Sequence, residues 1–287
     1  LMKHINWFPG HMAKTIKTLK QHVTKTDIVI ELLDARIPLS SRNPIIDTFI
    51  QKKHTHIIAL TKIDLADPNI TKEWIKTLTK THKTVIEINS LKGKGIKYLL
   101  NICKAFSEKK KKEKRFYITK VMICGIPNVG KSELINKLAK KKANQVQNKP
   151  GVTKKTKGYL LDLHVELMDT PGILWPRLDN QAIAKKLALT KSIKQTITED
   201  AQLFDWLLTY LKSYYPELLI KRYKLNNLNN HNDLIIEEIG KNMKWLSKNN
   251  TIDEKKVTRQ VIEDFQKQRL GNISLDQVTD LTSNSSG

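Results

Sequence analysis

Short apolar, β-branched runs alternate with amphipathic segments along the first part of the chain. The runs typical of buried parallel strands are 27–35, 56–60, 84–89 and 117–125. The spacing of apolar residues predicts helices near 12–24, 41–53, 70–81 and 94–107. Residues 158–172 predict two further strands that turn near Asp162–His164. This alternation predicts an α/β fold with a doubly wound, mostly parallel sheet over residues 1–176.

Beyond Pro176 the pattern becomes helical only. Apolar residues recur on one helical face in segments 200–215, 231–246 and 253–271, and no convincing strand follows. We therefore expect a small all-helical domain over 177–275. Polar residues dominate the end of the chain, so we expect 276–287 to be a disordered tail.

The charge of the chain changes the picture, because 51 basic and 28 acidic residues give a net charge of +23. Residues 1–176 carry +20 of this excess, which favours a polyanionic partner over a simple bias toward lysine. The run 108–116, "EKKKKEKRF", predicts either a solvated linker or helix end, or a specific RNA contact. Two isolated cysteines, Cys103 and Cys124, favour a reducing compartment. With no apolar run of membrane-spanning length, we expect a cytoplasmic protein without a membrane partner.

A phosphate-binding loop is the first sign of chemistry. "GIPNVGKS" matches G-x-x-x-x-G-K-S over Gly125–Ser132, after a predicted strand and before a predicted helix at 132–142. In such loops, backbone N–H groups surround the phosphates, the lysine reaches the β- and γ-phosphates, and the serine hydroxyl binds Mg²⁺. The residues expected at the nucleotide here are Asn128, Val129, Gly130, Lys131, Ser132 and Glu133.

Two downstream motifs extend this site. "DTPG" (169–172) ends a predicted strand, so Asp169 is positioned to hold Mg²⁺ and the Gly172 amide to sense the γ-phosphate. Between it and the phosphate loop, Thr153 of "KPGVTK" offers a hydroxyl and a carbonyl to the ion. We expect Ser132, Thr153 and Asp169 to bind Mg²⁺; an ordinary loop threonine is the alternative for Thr153.

A base-reading motif lies upstream instead of downstream. In "LTKID", the Asp64 carboxylate would accept hydrogen bonds from two guanine N–H groups that adenine lacks, and Lys62 would cover the ring. Thr61 stands where the motif usually has asparagine. Asn89 and Ser90, after the next predicted strand, stand where a second base-contacting loop is expected.

The order of these motifs predicts a circular permutation. The base-reading strand, the second base loop, the phosphate loop, the metal threonine and "DTPG" follow one another in a rotated GTPase order. Every strand end needed for the site is still present, and a basic connection at about 91–115 would join the old termini.

With these motifs, the sequence resembles the ribosome biogenesis GTPase A family, the circularly permuted GTPases of bacterial large-subunit assembly. The resemblance runs from about residue 5 to 270 and rests on four segments: "WFPGHMAK" (7–14), "DARIPLSSRNP" (34–44), "GIPNVGKS" and "DTPGILWP". It implies binding of GTP and GDP, contact with ribosomal RNA and protein on a large-subunit precursor, no DNA partner, and release upon GTP hydrolysis. Thr61 and Glu133 depart from the usual pattern.

The catalytic group is open, because Ile173 follows "DTPG" where many GTPases have a water-orienting glutamine. His11, in the "PGHM" segment, is our candidate, with packing or capping of the first helix as the alternative. Lys131 is the second catalytic candidate. The resemblance also implies that Asn128 binds a K⁺ ion; a loop-turn asparagine is the alternative.

Two other functions remain open from sequence alone. One is an RNA-binding module that senses nucleotide and hydrolyses it incidentally. The other is a GTPase of small-subunit assembly. A metabolic ATP-using enzyme is disfavoured by Asp64.

Overall fold

The computed structural model describes residues 9–114, 116–143, 158–162, 164–168, 180–193, 200–228, 231–247 and 249–283. Its first part is a three-layer α/β unit, and the sheet has six strands in the order β3-β2-β1-β4-β6-β5. The strands are β1 (Ile28–Asp34), β2 (Thr55–Thr61), β3 (Thr84–Glu87), β4 (Thr119–Gly125), β5 (Gly158–Asp162) and β6 (Val165–Met168). All neighbours pair in parallel except β5 and β6, which form an antiparallel hairpin. The predicted mostly parallel sheet and its terminal hairpin are confirmed.

The helices of this part precede the first strand or connect successive strands. They are α1 (Pro9–Thr24), α2 (Pro44–Phe49), α3 (Pro68–Leu78), α4 (Ile96–Glu113) and α5 (Lys131–Ala143). Two of them begin at a side-chain cap followed by proline: Asn43 accepts from the Ile45 amide before α2, and Asp67 accepts from the Asn69 and Ile70 amides before α3. These local signals fix where the chain turns back across the sheet.

Alternate residues of the strands fill two cores. One face of β1 presents Ile28, Ile30 and Leu32 to a large cluster that continues into the helices of the second part. The opposite face presents Val29, with α1 and α2 packed over it, and Leu33, under α3. The sheet is therefore covered on both sides, as its near-continuous apolar strands predict.

Helix α4 contains most of the basic run. It extends six residues past the predicted end, and Lys109, Lys110, Lys111 and Lys112 form its last turns. The predicted connection at 91–115 thus contains a long helix, whose inner face is buried through Leu99, Cys103 and Ser107.

Among the described residues of the second part, the regular elements are helices, apart from one isolated antiparallel bridge between Leu246 and Ile252. Its helices are α6 (Gln181–Leu189), α7 (Asp200–Tyr214), α8 (Pro216–Tyr223), α9 (Asn232–Met243), α10 (Glu254–Gln266) and α11 (Asp280–Ser283). The sequence patterns predicted α7, α9 and α10 but missed α6 and α8, which are only nine and eight residues long. None of the helices that the structure describes combines the length and hydropathy of a membrane span.

The prediction of a disordered tail from residue 276 is wrong for residues 276–283. Asp276 is fully buried, its carboxylate accepts from Ser40 and Lys186, and α11 follows. A buried carboxylate with several donors fixes this segment, and polar composition alone does not reveal such partners.

Candidate functional site

The sequence-predicted nucleotide residues gather where the parallel strands end. The carboxyl ends of β1, β2, β3 and β4 lie at one edge of the sheet, which we call the carboxyl edge. The chain passes from β1 to β2 on one side of β1 in the sheet, and then to β3 beyond β2. Strand β4 lies on the other side of β1. Ligand sites of open α/β sheets lie at such a reversal of strand order.

The phosphate loop follows β4 at this point. Gly125 has φ +154, and a Cβ atom there would lie 2.7 Å from the Leu32 carbonyl oxygen. Gly130 has φ +106, a conformation that other residues rarely adopt. Helix α5 begins directly afterwards, so its free amide groups face the end of the loop. The glycines are thus required by backbone geometry, as the motif predicts.

The predicted phosphate ligands have defined neighbours. Lys131 Nζ donates to the Gly125 carbonyl oxygen at 3.1 Å and so spans the loop. Ser132 is exposed, and Glu133 lies in the first turn of α5, where its charge complements the helix dipole. Val129 is fully buried, so it contributes backbone and packing to the loop.

Asn128 adopts a left-handed conformation, with φ 57, at the exposed tip of the phosphate loop. Its Nδ2 donates to the Lys191 carbonyl oxygen at 2.6 Å. This bond uses the amide nitrogen, whereas a K⁺ ion would be bound by the amide oxygen. The contact joins the phosphate loop to the end of α6.

Thr61 connects the base-reading motif to the phosphate loop. Its hydroxyl lies 2.7 Å from the Val129 carbonyl oxygen and 3.1 Å from the Leu33 carbonyl oxygen. Thr61 is buried, so both distances describe contacts shielded from water. The two motifs, separated by some 60 residues in sequence, are therefore adjacent in the fold. Threonine in place of asparagine retains a donor for the phosphate loop.

The base-reading lysine belongs to a buried charge cluster. Lys62 Nζ lies 3.0 Å from Asp34 Oδ2, and Arg36 binds both oxygens of the same carboxylate, at 3.0 and 2.8 Å. Burial alone would raise the pKa of Asp34, but the charges of Arg36 and Lys62 outweigh it and hold the pKa well below its usual value. Asp34 is therefore ionised and fixes the lysine. The role of "DAR" (34–36) was not evident from its sequence.

Asp64 lies in the connection between β2 and α3, with a half-buried side chain. Its backbone carbonyl accepts from Gln268 Nε2 at 2.5 Å and from Asn272 Nδ2 at 3.2 Å. These two residues follow α10, more than 200 positions later, and no sequence signal marked them.

The second base loop closes on itself. Asn89 is buried and its Oδ1 accepts from the Lys92 amide at 2.9 Å, while its backbone pairs with Lys94. Ser90 is also buried. The Asn89 side chain shapes this loop, and the loop lies beside the end of β2 because the Ile88 amide donates to the Leu60 carbonyl.

Several predicted residues lie outside the description. Thr153, Asp169 and Gly172 are not among the described residues. His11 lies in the first turn of α1.

A separate group of potential metal ligands comprises Asp47, His56 and His82. The Arg42 guanidinium lies 2.8 Å from Asp47 Oδ2 and 3.0 Å from His82 Nε2, and His56 lies 3.2 Å from Glu31. Burial, followed by the charge of Arg42, lowers the pKa of His82. Arginine is already the cation of this group, so we assign no metal to it.

The fold and the site define a circularly permuted P-loop GTPase. A family model described as a 50S ribosome-binding GTPase matches residues 120–244, beginning at the strand of the phosphate loop. Ribosome biogenesis GTPase A of Bacillus cereus is 38% identical over 277 residues, covering 95% of this chain and 93% of the relative. The chain belongs to the ribosome biogenesis GTPase A family.

More distant relatives extend the comparison. Mitochondrial GTPase 1 of Schizosaccharomyces pombe is 32% identical over 302 residues, covering 95% of this chain and 89% of the relative. The structure of GNP-bound YlqF from T. maritima superposes with a TM-score of 0.60 at 24% identity, covering 92% of this chain and 98% of that chain. This last likeness supports the fold.

Proposed function

We propose that this chain is a cytoplasmic GTPase of large (50S) subunit assembly, which binds ribosomal RNA of a precursor particle in its GTP state and leaves it on hydrolysis. Family membership supports the ribosomal role, and the matched family model is described as 50S ribosome-binding. The observation that carries the enzymatic part is the contact of Thr61 with Val129, because it brings base reading and phosphate binding into one site.

The proposal assigns one set of residues to the guanine base and another set to the phosphates. Asp64 reads guanine, Lys62 covers the ring, and the loop of Asn89 and Ser90 supports the base from the neighbouring strand. The phosphate loop, with the Gly172 amide, surrounds the phosphates.

The residues suited to Mg²⁺ are Ser132, Thr153 and Asp169, which together offer hydroxyl and carboxylate oxygens. Exposure of Ser132 at the start of α5 fits this assignment. Bound Mg²⁺ would neutralise charge that develops on the phosphates. Asn128 is the proposed K⁺ ligand.

The proposed catalytic groups are Lys131 and His11. Lys131 stabilises the transferred phosphoryl group, and His11 orients water in place of the absent glutamine. His11 lies at the start of α1 rather than in the phosphate loop, so we expect slow intrinsic hydrolysis that the ribosomal particle accelerates.

Binding of RNA is supported by the edge of the sheet opposite to the nucleotide. The connections that enter β1, β2, β3 and β4 there, with the last turns of α4, form what we call the amino edge: residues 25–27, 50–54, 79–83, 109–114 and 120. The amino edge holds eleven lysines and two carboxylates, Asp27 and Glu113. Among the described side chains, only Lys110 of these lysines forms an ion pair.

This arrangement suits a phosphate backbone. Neighbouring strands lie about 4.8 Å apart, so lysines from four successive connections are spread along the edge rather than crowded together. Lysines that are exposed and have no ion-pair partner can bind the phosphates of a nucleic acid, and this binding releases small counterions. Phe116, directly after the lysine-rich end of α4, is 92% exposed and available to stack on a base.

GTP turnover tests the proposal. We would measure the wild type and His11→Ala with K⁺, alone and with large or small ribosomal subunits. Stimulation by large subunits only, lost in His11→Ala while GTP still binds, is the expected result.

Stimulation by small subunits would move the partner to the other subunit. Equal, slow turnover in every mixture would favour the nucleotide-sensing RNA-binding module. Stimulation that persists in His11→Ala would remove His11 from catalysis.

A further inference from the structure

The chain after α10 crosses back to the carboxyl edge of the sheet. We call residues 268–276 the strap. Ile273, Ser274, Leu275 and Asp276 of the strap are buried, with at most 1% of their surface exposed. A surface tail would expose these residues, so the strap is part of the packed structure.

The first half of the strap holds the base-reading loop by its backbone. Asn272 Nδ2 lies 3.2 Å from the Asp64 carbonyl oxygen and 3.0 Å from the Ala66 carbonyl oxygen. The Ile273 amide donates to the Leu65 carbonyl at 3.3 Å. Gln268 donates both to Asp64 and to Asn272 Oδ1, at 2.5 and 2.6 Å. Three successive carbonyl groups of the loop are thus fixed by the strap.

The second half of the strap holds the loop that follows β1. The Leu275 amide donates to the Arg36 carbonyl at 2.7 Å. The Asp276 carboxylate accepts from the Ser40 amide and hydroxyl at 2.7 and 2.8 Å. Because Arg36 and Lys62 share the Asp34 carboxylate, the strap also supports the residue that covers the base.

The helical part anchors the strap on its other side. The Ser274 carbonyl accepts from the Tyr210 hydroxyl at 2.9 Å, and the Tyr215 hydroxyl accepts from the Ser274 amide at 3.1 Å. Lys186 of α6 lies 2.8 Å from the Asp276 carboxylate. Burial raises the pKa of Tyr215 to about 12, so its hydroxyl stays protonated at neutral pH.

We propose that the strap sets the orientation of the base-reading loop, with Gln268 and Asn272 as positioning residues for Asp64. This inference rests on the proposed role of Asp64 in reading guanine. The helical part is then a component of the guanine site, because it holds the loop that carries Asp64.

The coupling is reciprocal, as linkage requires. Guanine nucleotide bound at Asp64 stabilises the docked strap, and a docked strap improves guanine binding. GDP and GTP share the same base, so the strap responds to occupancy of the site and not to the γ-phosphate. Hydrogen exchange of residues 268–276 should slow equally with either nucleotide.

Nucleotide selectivity separates positioning from a general loss of stability. Inosine diphosphate lacks the N2 amino group, so it loses one of the two bonds to the Asp64 carboxylate and should bind more weakly than GDP. We would measure the affinities of the wild type, Asn272→Ala and Gln268→Ala for both nucleotides. Gln277→Ala is the matched control, because it loses a bond to Tyr210 and none to the base-reading loop.

The preference of Asn272→Ala for GDP over inosine diphosphate should fall by about three- to tenfold, which corresponds to the loss of one hydrogen bond. The preference of Gln268→Ala for GDP should fall by a similar factor, whereas Gln277→Ala should keep the wild-type preference. An unchanged preference in both strap variants, in a wild type that prefers GDP, would overturn the inference. A wild type without that preference would instead overturn the role of Asp64.

Discussion

The two edges of the sheet carry charge in opposite ways. At the carboxyl edge, Arg36 and Lys62 share the buried Asp34. At the amino edge, exposed lysines stand with few carboxylates. Paired, buried charge fixes side chains in one geometry, which reading a small ligand requires. Exposed, unpaired charge attracts a long polyanion without demanding one geometry. The comparison favours the proposed placement of the nucleotide at the carboxyl edge and of RNA at the amino edge.

The largest expected effect on stability is at the carboxyl edge. Asp34→Asn leaves Arg36 and Lys62 without their buried counterion, so we expect the free energy of unfolding to fall by about 3–5 kcal/mol. Denaturant unfolding measures this. Glu87→Gln is the control, because its pair with Lys94 is partly exposed and should contribute less than about 1 kcal/mol. Equal losses in the two variants would contradict the contrast between buried and exposed pairs.

Acid should remove the difference between wild type and Asp34→Asn. The pKa of Asp34 is lower in the folded chain than in the unfolded chain. Its contribution is therefore full above the unfolded pKa of about 3.9 and declines as pH falls below that value toward the folded pKa. Unfolding curves should show a constant gap between pH 7 and 5 that narrows below about 4. A gap that closes already near pH 6 would mean that another group is responsible.

Thr61→Val should have the next largest effect. The substitution keeps the shape of the side chain but leaves the Val129 and Leu33 carbonyls without their hydroxyl partner, at a cost of about 1–3 kcal/mol. GTP affinity should weaken as well, because the phosphate loop loses its bond to the base-reading strand. Thr61→Ser retains the hydroxyl and should lose much less in both equilibrium unfolding and GTP titration. Identical behaviour of the two variants would show that the Thr61 hydroxyl contributes neither to stability nor to GTP affinity.

Substitutions at the amino edge should change stability least. Lys109, Lys111 and Lys112 form no ion pairs among the described residues, so converting all three to Gln should shift the free energy of unfolding by less than about 0.5 kcal/mol for each substitution. For binding to single-stranded RNA, the plot of log affinity against log salt concentration should become less steep. Its slope should decrease by about 2 in magnitude. The same change at Lys221, Lys255 and Lys256 of the helical part is the control and should leave the slope unaltered. A slope that falls equally in both variants would show that total charge, not the amino edge, binds RNA.

Much of the fold was predictable because its signals are local. Four apolar runs and the hairpin at 158–168 gave the strands, and the glycines at 125 and 130 marked a loop that only they allow. The rotated motif order indicated that every strand end needed for the site is present, but it did not indicate the contact of Thr61 with the phosphate loop.

The strap and its contacts were not predictable, because they depend on residues distant in sequence. Asn272 and Asp276 are ordinary polar residues in "GNISLDQ", and their partners lie about 200 positions upstream. Short helices α6 and α8 were missed because nine or fewer residues give little periodicity. Asp34 and Arg36 both belong to the short motif "DAR", but no feature of the sequence indicates that their side chains form a buried ion pair.

The proposal that the carboxyl edge binds nucleotide and the amino edge binds RNA is tested most directly by one paired titration. The variant with Lys109, Lys111 and Lys112 changed to Gln would be titrated with large ribosomal subunits and, in the same preparation, with GTP. We predict that affinity for the subunits falls on the order of tenfold at physiological salt, while affinity for GTP stays within about twofold because no substituted residue lies near the carboxyl edge. Wild-type affinity for the subunits, or an equal loss for both ligands, would contradict the account.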